Sequence, residues 1–365
     1  MINTIDPNNI SGLKREDFQS EINGKQTDLF ILKNADGCEV AITNYGGALL
    51  TIMMPDKNGK FANVVQGHDT LKAVVNSPEQ FLSVLIGRYG NRIKGGQFQL
   101  DGKTYQLALN DGNNSLHGGP TGFHKRVWDA MLIDEQTLEL HYTSAYGEEG
   151  FPGELNMTVR YTLTNDNEFR IEYRGFTNRR TIVNMTHHAF FSLSGLDKPT
   201  KTIDNQICTI NADFYTPIDA ESIPVGTIES VKGTPFDFTT PHAFGERIND
   251  TTNQQIVNGS GYDHNYVINK QEAKGLAFAV KVVDPESGRS MEVYTNEPGI
   301  QLYTGNFLNG SFEGWHGCTF PRRSAVCLET QHFPDSPNRP YFPSVVLNPG
   351  ETYRHTTVYK FGVEK

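Results

Sequence analysis

A glutamate inside an apolar strand is the first residue of this sequence whose position suggests chemistry. Glu329 directly follows the apolar run 325–328 in the segment AVCLETQHFPDSPN (325–338). Burying an unpaired carboxylate is costly, so a carboxylate at such a position is either paired or used in catalysis. Strand alternation predicts that its side chain shares one face with those of Cys327 and Gln331. Glu329 is therefore a candidate functional residue.

Two adjacent histidines form the second candidate feature. His187 and His188 lie in VNMTHHAFFSLSG (183–195). Neighbouring residues of a strand point to opposite faces, so at most one of the two histidines faces a given pocket. Imidazole titrates near neutrality and can act as an acid at physiological pH. The alternative, one buried and one surface histidine without a chemical role, stays open on these residues alone.

Arginines between glycines form a third feature. Arg88 and Arg92 lie in GRYGNRIKGGQF (87–98). The guanidinium group offers a planar fork of donors that suits vicinal hydroxyls or an anion. A surface hairpin with solvated arginines explains the same pattern, and this segment by itself does not separate the two interpretations.

Another histidine precedes a pair of glycines. His117 lies in NNSLHGG (113–119), where the two glycines can let the backbone pass close to a ligand. A lone histidine before a turn is more often structural. Two further polar insertions, GYDHNY (261–266) and EPGIQLYTGNF (297–307), belong with these segments. None of the six segments decides a function alone.

The elements that must position these residues are short strands. Many aromatic residues (22 Phe and 15 Tyr) and 35 glycines suit short strands joined by tight turns. Helical signal is thin and restricted to 68–80 and 242–255. Strands at short spacing without strand–helix alternation predict an all-β sandwich or barrel. The hairpins are predicted at 98–111 around Asp101-Gly102, at 157–176 and at 277–296, followed by a last strand at 352–363.

Composition excludes several partners. Hydrophobic residues make up 37% of the chain, which is normal for a globular protein with a sizeable core. The net charge is 32 − 42 = −10, which argues against a nucleic-acid partner. No apolar run approaches the roughly 20 residues needed to span a bilayer, so we expect no membrane contact.

Cysteine usage and the N-terminal sequence point to the cytoplasm. The four cysteines show no CxxC pair and no zinc-like spacing, so we expect small buried apolar residues with reduced thiols. The first thirty residues lack an apolar signal core, although a signal removed before residue 1 stays possible. We expect a loosely attached N-terminal extension (1–25) and one domain (26–365), as a monomer or a homodimer.

Taken in order, these segments resemble the aldose 1-epimerase (galactose mutarotase) family over residues 26–363. The blocks that carry the resemblance are GRYGNRIKGGQF, LHGG followed by GFHKRVW, VNMTHHAFFSL, TPIDAESIPVG, GTPFDF, GYDHNY, EPGIQLYTGNF and LETQHFPDSPN. The resemblance implies a large antiparallel β-supersandwich with little helix. It also implies a small-molecule sugar substrate, no cofactor and no metal.

The resemblance implies specific roles for seven residues. Glu329 would be the general base and His188 the general acid. Two residues depart from the family pattern, since His187 stands where Asn is usual and Phe190 where Tyr is usual. The substrate-binding residues implied are Arg92, His117 and Asp263, which would hold sugar hydroxyls, with Asn91 and Gln301 as secondary contacts.

Three other functions compete with a mutarotase. Asp263 and Glu329 would be the carboxylate pair of a glycoside hydrolase. A non-catalytic carbohydrate-binding β-sandwich would need the hydroxyl contacts but no acid and base. In a phosphosugar epimerase Arg88, Arg92 or Arg126 would hold a phosphate. The preferred aldose is not determined by the sequence.

Overall fold

The protein is built almost entirely from short antiparallel strands. The computed structural model describes residue 3, residues 5–272 and residues 275–364. Among them are two five-residue α-helices, α1 (Leu71–Val75) and α2 (Gln254–Asn258). The strands, in chain order, are β1 (Ser20–Ile22), β2 (Lys25–Thr27), β3 (Leu29–Lys33), β4 (Glu39–Thr43), β5 (Ala48–Pro55), β6 (Phe61–Asn63), β7 (Leu85–Ile86), β8 (Arg92–Ile93), β9 (Gln97–Leu100), β10 (Lys103–Gln106), β11 (Ser115–Leu116), β12 (Asp129–Asp134), β13 (Thr137–Ser144), β14 (Leu155–Leu163), β15 (Glu168–Thr177), β16 (Thr181–Ile182), β17 (Thr186–His187), β18 (Phe190–Phe191), β19 (Ile207–Ile210), β20 (Phe214–Thr216), β21 (Glu229–Ser230), β22 (His242–Ala243), β23 (Asp263–Val267), β24 (Ala277–Val283), β25 (Arg289–Thr295), β26 (Gly299–Tyr303), β27 (Val326–Gln331), β28 (Val346–Leu347) and β29 (Tyr353–Val363).

Three sheets carry the architecture. The largest has nine strands in the order β12-β13-β14-β15-β29-β25-β24-β19-β22. A six-stranded sheet runs β18-β27-β26-β23-β20-β21, and a four-stranded sheet runs β3-β4-β5-β6. Small two-stranded ladders, such as β8 with β11 and β7 with β17, join them. The neighbouring strands pair antiparallel throughout, as predicted.

The hairpins predicted from turn residues are confirmed. β9 and β10 pair around Asp101 and Gly102, both of which have positive φ, as a tight two-residue hairpin requires. β14 pairs with β15 and β24 pairs with β25. The two regions with weak helical signal hold α1 and the start of α2, and each helix is only five residues long.

The sheets enclose one large core. Along β14 every second side chain is buried, so one face of the nine-stranded sheet packs inward while the other meets solvent. A single apolar cluster contains Val159 and Tyr173 from that sheet, Ile300 and Leu328 from the six-stranded sheet and Ile42 from the four-stranded sheet. The nine-stranded sheet therefore packs face to face against the other two, which makes the molecule a β-sandwich.

Strand β27 differs from the outer strands because all six of its residues are buried. Val326 and Leu328 belong to the core cluster. The alternate residues Cys327, Glu329 and Gln331 must then point to the other face of the six-stranded sheet. That second face is covered by other parts of the chain rather than by solvent.

The N-terminal segment, predicted to be a loosely attached extension, has buried contacts in its described part. Leu13 and Phe18 are buried in an apolar cluster that also contains Trp315. The Trp315 indole donates a hydrogen bond of 3.0 Å to the carbonyl of Ser11. β1 and β2 pair with each other on either side of residue 24. The domain boundary at residue 25 stays a prediction, and these contacts bind the segment to the domain.

All four cysteines are unpaired and buried, as predicted from their spacing. Among the described residues, no helix has the length and apolar character that crossing a membrane requires.

Candidate active site

Three neighbouring strands of the six-stranded sheet present polar side chains on the same face. Gln301 of β26 pairs in register with Glu329 of β27, and Asp263 of β23 pairs with Tyr303 of β26. Residues that pair directly in an antiparallel sheet lie on the same face. Gln301 and Tyr303, two residues apart on one strand, share a face as well. Asp263, Gln301 and Glu329 therefore project from one surface.

A cavity of about 390 Å³ covers this surface and brings together most of the predicted site residues. That size lies within the range of small-molecule pockets. The seventh predicted residue, Gln301, is not among the residues that line the cavity and donates a hydrogen bond of 2.7 Å from Nε2 to Oδ1 of Asp263. The predicted residues that line the cavity are Asn91, Arg92, His117, His188, Asp263 and Glu329.

Glu329 is almost fully buried, with 1% of its surface exposed. Its Oε1 atom lies 3.6 Å from Nε2 of His188, and its Oε2 atom has no hydrogen-bond partner among the described residues. Burial raises the pKa of the Glu329 carboxyl well above its usual value. The nearby Asp263 carboxylate raises this pKa further, and the Arg92 guanidinium opposes the change. The Oε2 atom is thus buried without a hydrogen bond among the described residues, and the Oε1 atom faces His188.

The structure separates the two adjacent histidines, as strand alternation predicts. His187 packs its ring edge-on against Tyr161 and places Nε2 3.3 Å from the carbonyl of Gly47, inside the core. His188 lies in the cavity wall. His187, one of the two residues that depart from the family pattern, is therefore buried away from the cavity. His188 is the histidine whose ring faces Glu329.

Aromatic rings hold His188 in place. Its ring centroid lies 4.9 Å from that of Phe190, 5.9 Å from Tyr303 and 6.3 Å from Phe81. Burial lowers the pKa of His188 to about 4. A hydrogen bond from the ring to the carbonyl of His188 itself opposes this change, and the Arg92 guanidinium lowers the pKa further. The second departure from the family pattern, Phe190, thus provides a packing surface for His188.

His117 is held by a backbone amide. The N–H of Asn91 donates a hydrogen bond of 3.1 Å to Nδ1 of His117, and the N–H of His117 donates one of 3.1 Å to the carbonyl of Asn91. Both residues have positive φ, 62° and 51°. Because Nδ1 accepts a hydrogen bond, the neutral ring carries its hydrogen on Nε2. His117 therefore presents a fixed N–H donor.

The same tautomer bears on metal binding. His117, His188 and Glu329 each have one potential ligand atom within 4.8 Å of the others. That spacing would allow the three residues to bind one divalent cation. A metal ligand must present a lone pair, however, and the hydrogen on Nε2 of His117 blocks the nitrogen that is not already bonded to Asn91. The donor set suits hydroxyl groups better than a cation.

Arg92 is the predicted arginine that reaches the cavity. Its Nε atom donates a hydrogen bond of 2.7 Å to Asp111, which orients the guanidinium group. Burial raises the pKa of Asp263, and Arg92 partly offsets this change. Arg92 and Asp263 thus both line the cavity, and the charge of Arg92 acts on the Asp263 carboxyl.

The two other arginines considered for phosphate binding, Arg88 and Arg126, lie outside the cavity. Arg88 is buried and donates to the carbonyls of Pro152 and Gly153 at 2.8 and 2.9 Å. Arg126 faces two carboxylates, Glu148 at 3.6 Å and Glu149 at 3.9 Å. Neither arginine lines the cavity. Arg88 is thus a structural residue that binds loop carbonyls.

The cavity also contains residues that sequence reasoning did not single out. Tyr303 and Phe307 lie in the EPGIQLYTGNF segment, so their presence had a sequence signal. Glu79 and Phe81 follow α1, in a stretch whose pattern carried no signal of function. The residues of this kind are Pro78, Glu79, Gln80, Phe81, Asn110, Asp111, Leu116, Tyr303 and Phe307.

A family model described as aldose 1-epimerase matches residues 28–360, nearly the whole chain. The chain belongs to the aldose 1-epimerase family. This membership confirms the isomerase class expected from the sequence blocks.

Relatives within the aldose 1-epimerase family match over most of their length. The galactose mutarotases of Bos taurus and Homo sapiens are 41% and 40% identical to this chain, each over 90% of this chain and 92% of theirs. The aldose 1-epimerase of Escherichia coli K12 is 34% identical over 93% of this chain and 97% of its own.

Solved structures of the family share the fold. The GalM/aldose epimerase homologue of C. elegans has a TM-score of 0.85 at 28% identity and covers 93% of this chain and 100% of its own. Galactose 1-epimerase of Lactobacillus acidophilus has a TM-score of 0.83 at 26% identity, with 95% and 98% covered. The predicted β-supersandwich is thereby confirmed.

Proposed function

We propose that this aldose 1-epimerase family member interconverts the α and β anomers of free aldohexoses such as galactose and glucose, with Glu329 as general base and His188 as general acid. The observation that carries the proposal is the placement of Glu329 Oε1 3.6 Å from His188 Nε2 in the wall of a cavity with polar side chains. A proton acceptor and a proton donor can therefore act on the same bound sugar ring.

The reaction needs two coupled proton transfers. Glu329 removes the proton from the C1 hydroxyl while His188 donates one to the ring oxygen, and the C1–O5 bond breaks to give the open-chain aldehyde. Rotation about C1–C2 turns the other face of the carbonyl toward the returning hydroxyl. The roles then reverse, and the ring closes as the other anomer with no net proton consumed.

The Glu329–His188 pair carries one proton throughout, on His188 before ring opening and on Glu329 after it. Burial raises the pKa of Glu329 and lowers that of His188 to about 4, so in the unliganded pair the proton rests on the carboxyl. Ring opening starts from the less favoured charged form, in which the imidazole holds the proton. Because burial disfavours that form, transfer of the proton to the substrate and its return to the carboxylate are favourable.

The remaining cavity residues suit hydroxyl groups. His117 offers its Nε2–H as a donor, and we place it at the ring oxygen, where it assists His188. Arg92 and Asp263 offer donors and acceptors to neighbouring hydroxyls. Gln301 fixes the Asp263 carboxylate through its 2.7 Å hydrogen bond, and Asn91 fixes His117 through its backbone.

The composition of the cavity disfavours a phosphosugar. Its described lining contains one arginine, Arg92, against four carboxylic acids. A phosphate dianion would face four carboxyl groups and a single guanidinium there, whereas a neutral sugar brings no charge. The acids are Glu79, Asp111, Asp263 and Glu329.

A glycoside hydrolase is also disfavoured. Hydrolysis of a glycosidic bond requires a second carboxyl group that acts as acid, base or nucleophile opposite the first. Here the group that faces Glu329 is an imidazole, and Asp263 is already bound by Gln301. A pure binding protein would not need a buried Glu–His pair.

Polarimetry on freshly dissolved α-D-galactose and α-D-glucose tests the proposal. We expect the wild type to accelerate equilibration and Glu329→Gln and His188→Asn to lose about 10²–10⁴-fold of that rate. Binding of the sugar should persist in Glu329→Gln, since the amide keeps the shape of the carboxyl. A near-normal rate in Glu329→Gln would refute the assignment of the base, and release of sugar from a glycoside would favour the hydrolase.

A further inference from the structure

The thiol of Cys327 contacts the ring nitrogen of His188 that does not face Glu329. The Sγ atom of Cys327 lies 3.5 Å from Nδ1 of His188, and both residues are buried. Among the described residues, this thiol is the one side chain that hydrogen-bonds to that nitrogen, which also lies on the side of the ring where the carbonyl of His188 itself accepts. The other ring nitrogen, Nε2, is the atom 3.6 Å from Glu329. The two nitrogens of His188 therefore meet chemically different partners.

The position of the thiol follows from the strand that carries the base. Cys327 precedes Glu329 by two residues on β27, so both side chains point to the same face. Cys327 pairs in register with Phe190, whose ring packs on His188. One strand thus places the base on one side of the imidazole and the thiol on the other.

We propose that Cys327 is a positioning residue that accepts the Nδ1–H of His188, so that Nε2 is the atom that gives and takes the proton. This inference rests on the proposed role of His188. For Nε2 to receive a proton on ring closure, the neutral imidazole must hold its hydrogen on Nδ1. If the thiol instead donated to Nδ1, the neutral ring would carry its hydrogen on Nε2 and be unable to accept one there.

Sulfur suits this position because it is a weak acceptor. A carboxylate behind a catalytic histidine stabilises the imidazolium. The thiol accepts the hydrogen bond from Nδ1–H but stabilises the positive charge of the imidazolium less than a carboxylate would. The Nε2–H of the imidazolium therefore stays acidic. Burial raises the pKa of Cys327 well above its usual value, so the group remains a neutral thiol.

Other titratable groups also surround His188 and are unchanged in the Cys327 variants. They are Glu329 on β27, His117 after β11, Arg92 on β8 and Tyr303 on β26, with Asp263 and Glu79 in the same cavity.

Nitrogen NMR of ¹⁵N-histidine-labelled protein measures the tautomer directly, with His188→Asn to assign the signal. We expect Nδ1–H in the neutral His188 of the wild type and of Cys327→Ser. In Cys327→Ala the loss of the acceptor should shift the ring toward Nε2–H and lower kcat about three- to tenfold, while KM stays within about twofold. Cys38→Ala, which removes a buried thiol bonded to Asn167, is the control and should change neither quantity.

The pH profile separates positioning from packing. A hydroxyl accepts more strongly than a thiol, so Cys327→Ser should move the acid limb of kcat upward by about half a pH unit. An Nε2–H signal in the wild type, or a Cys327→Ala protein with unchanged tautomer and pH profile, would overturn the proposal. Wild-type rates in Glu329→Gln and His188→Asn would instead refute the proposed function, and the tautomer of His188 would still be read from the spectrum.

Discussion

Glu329 and His188 are both buried, and burial moves their pKa values in opposite directions. The carboxyl becomes a weaker acid and the imidazole a weaker base, because each loses the hydration of its charged form. These directions place the shared proton on Glu329 in the unliganded pair, and the proposed ring opening uses the less favoured form with the proton on His188. They also reduce stability, since the native state must hold groups whose charged forms it disfavours.

We expect Glu329→Gln to stabilise the fold at alkaline pH. A pKa raised in the folded state leaves stability intact below the unfolded value near 4.5, and stability is lost as the pH rises through the folded value. Each pH unit by which the folded pKa exceeds the unfolded one corresponds to about 1.4 kcal/mol. Urea unfolding at pH 4.5 and pH 8 should therefore show little difference between variant and wild type at the lower pH and a more stable variant at the higher pH.

Glu172→Gln, which changes an exposed carboxylate of β15, is the control for that comparison and should show no such pH-dependent gain. Equal stability of wild type and Glu329→Gln at pH 8 would contradict the buried-charge argument.

Among the structural elements, the turn that follows β11 decides where His117 lies. The residue after His117, Gly118, has a φ of +84°, and a Cβ atom there would lie 2.1 Å from the carbonyl oxygen of Gly87. The sequence suggested that these glycines let the backbone approach a ligand. The close approach is instead between two backbone segments, the one at Gly118 and the one at Gly87. The loop that carries His117 therefore packs directly against the chain that precedes Arg88.

We expect Gly118→Ala to displace His117 and to lower kcat/KM by at least about tenfold, since small misplacements of polar groups are costly. Stability should also fall, because the clash adds to the strain of positive φ. Gly147→Ala is the matched control: its φ is +81°, and nothing lies within 4 Å of the added Cβ. That variant should lose only the strain energy of about 1–2 kcal/mol. Calorimetry and polarimetry on both variants measure the difference, and equal losses would contradict the close-approach argument.

At the scale of the whole molecule, several histidines of the described chain are buried in the interior. Burial is the largest cause that lowers the pKa of seven described histidines. Four wholly or partly buried carboxyls have raised pKa values and oppose the effect of these histidines on stability. The histidines are His68, His117, His124, His187, His188, His264 and His355.

We expect the protein to lose stability as the pH falls below about 6.5. In that range the unfolded histidines bind protons while the native ones do not, until the pH reaches values of about 4 to 3. His187→Asn should flatten the dependence by up to about 1.4 kcal/mol per pH unit and keep normal activity, since His187 faces the core. Urea unfolding between pH 7.5 and 5 measures the slope. An unchanged slope in His187→Asn would contradict the assignment of a neutral core histidine.

The strand pattern and the hairpin turns could be predicted from the amino-acid sequence, and the resemblance to the family named Glu329 and His188 as the candidate base and acid. Turn residues such as Asp101-Gly102 and strand alternation act over a few residues, so they can be read locally. The placement of His188 against Glu329 depends on β27 and on the chain around β17 and β18. His188 also contacts Cys327, which is 139 residues away along the chain. The tautomer of His117, the thiol behind His188 and the buried state of Arg88 arise from such long-range contacts. These features emerge only in the folded chain, because burial and hydrogen-bond partners are properties of packed neighbours and not of spacing along the sequence.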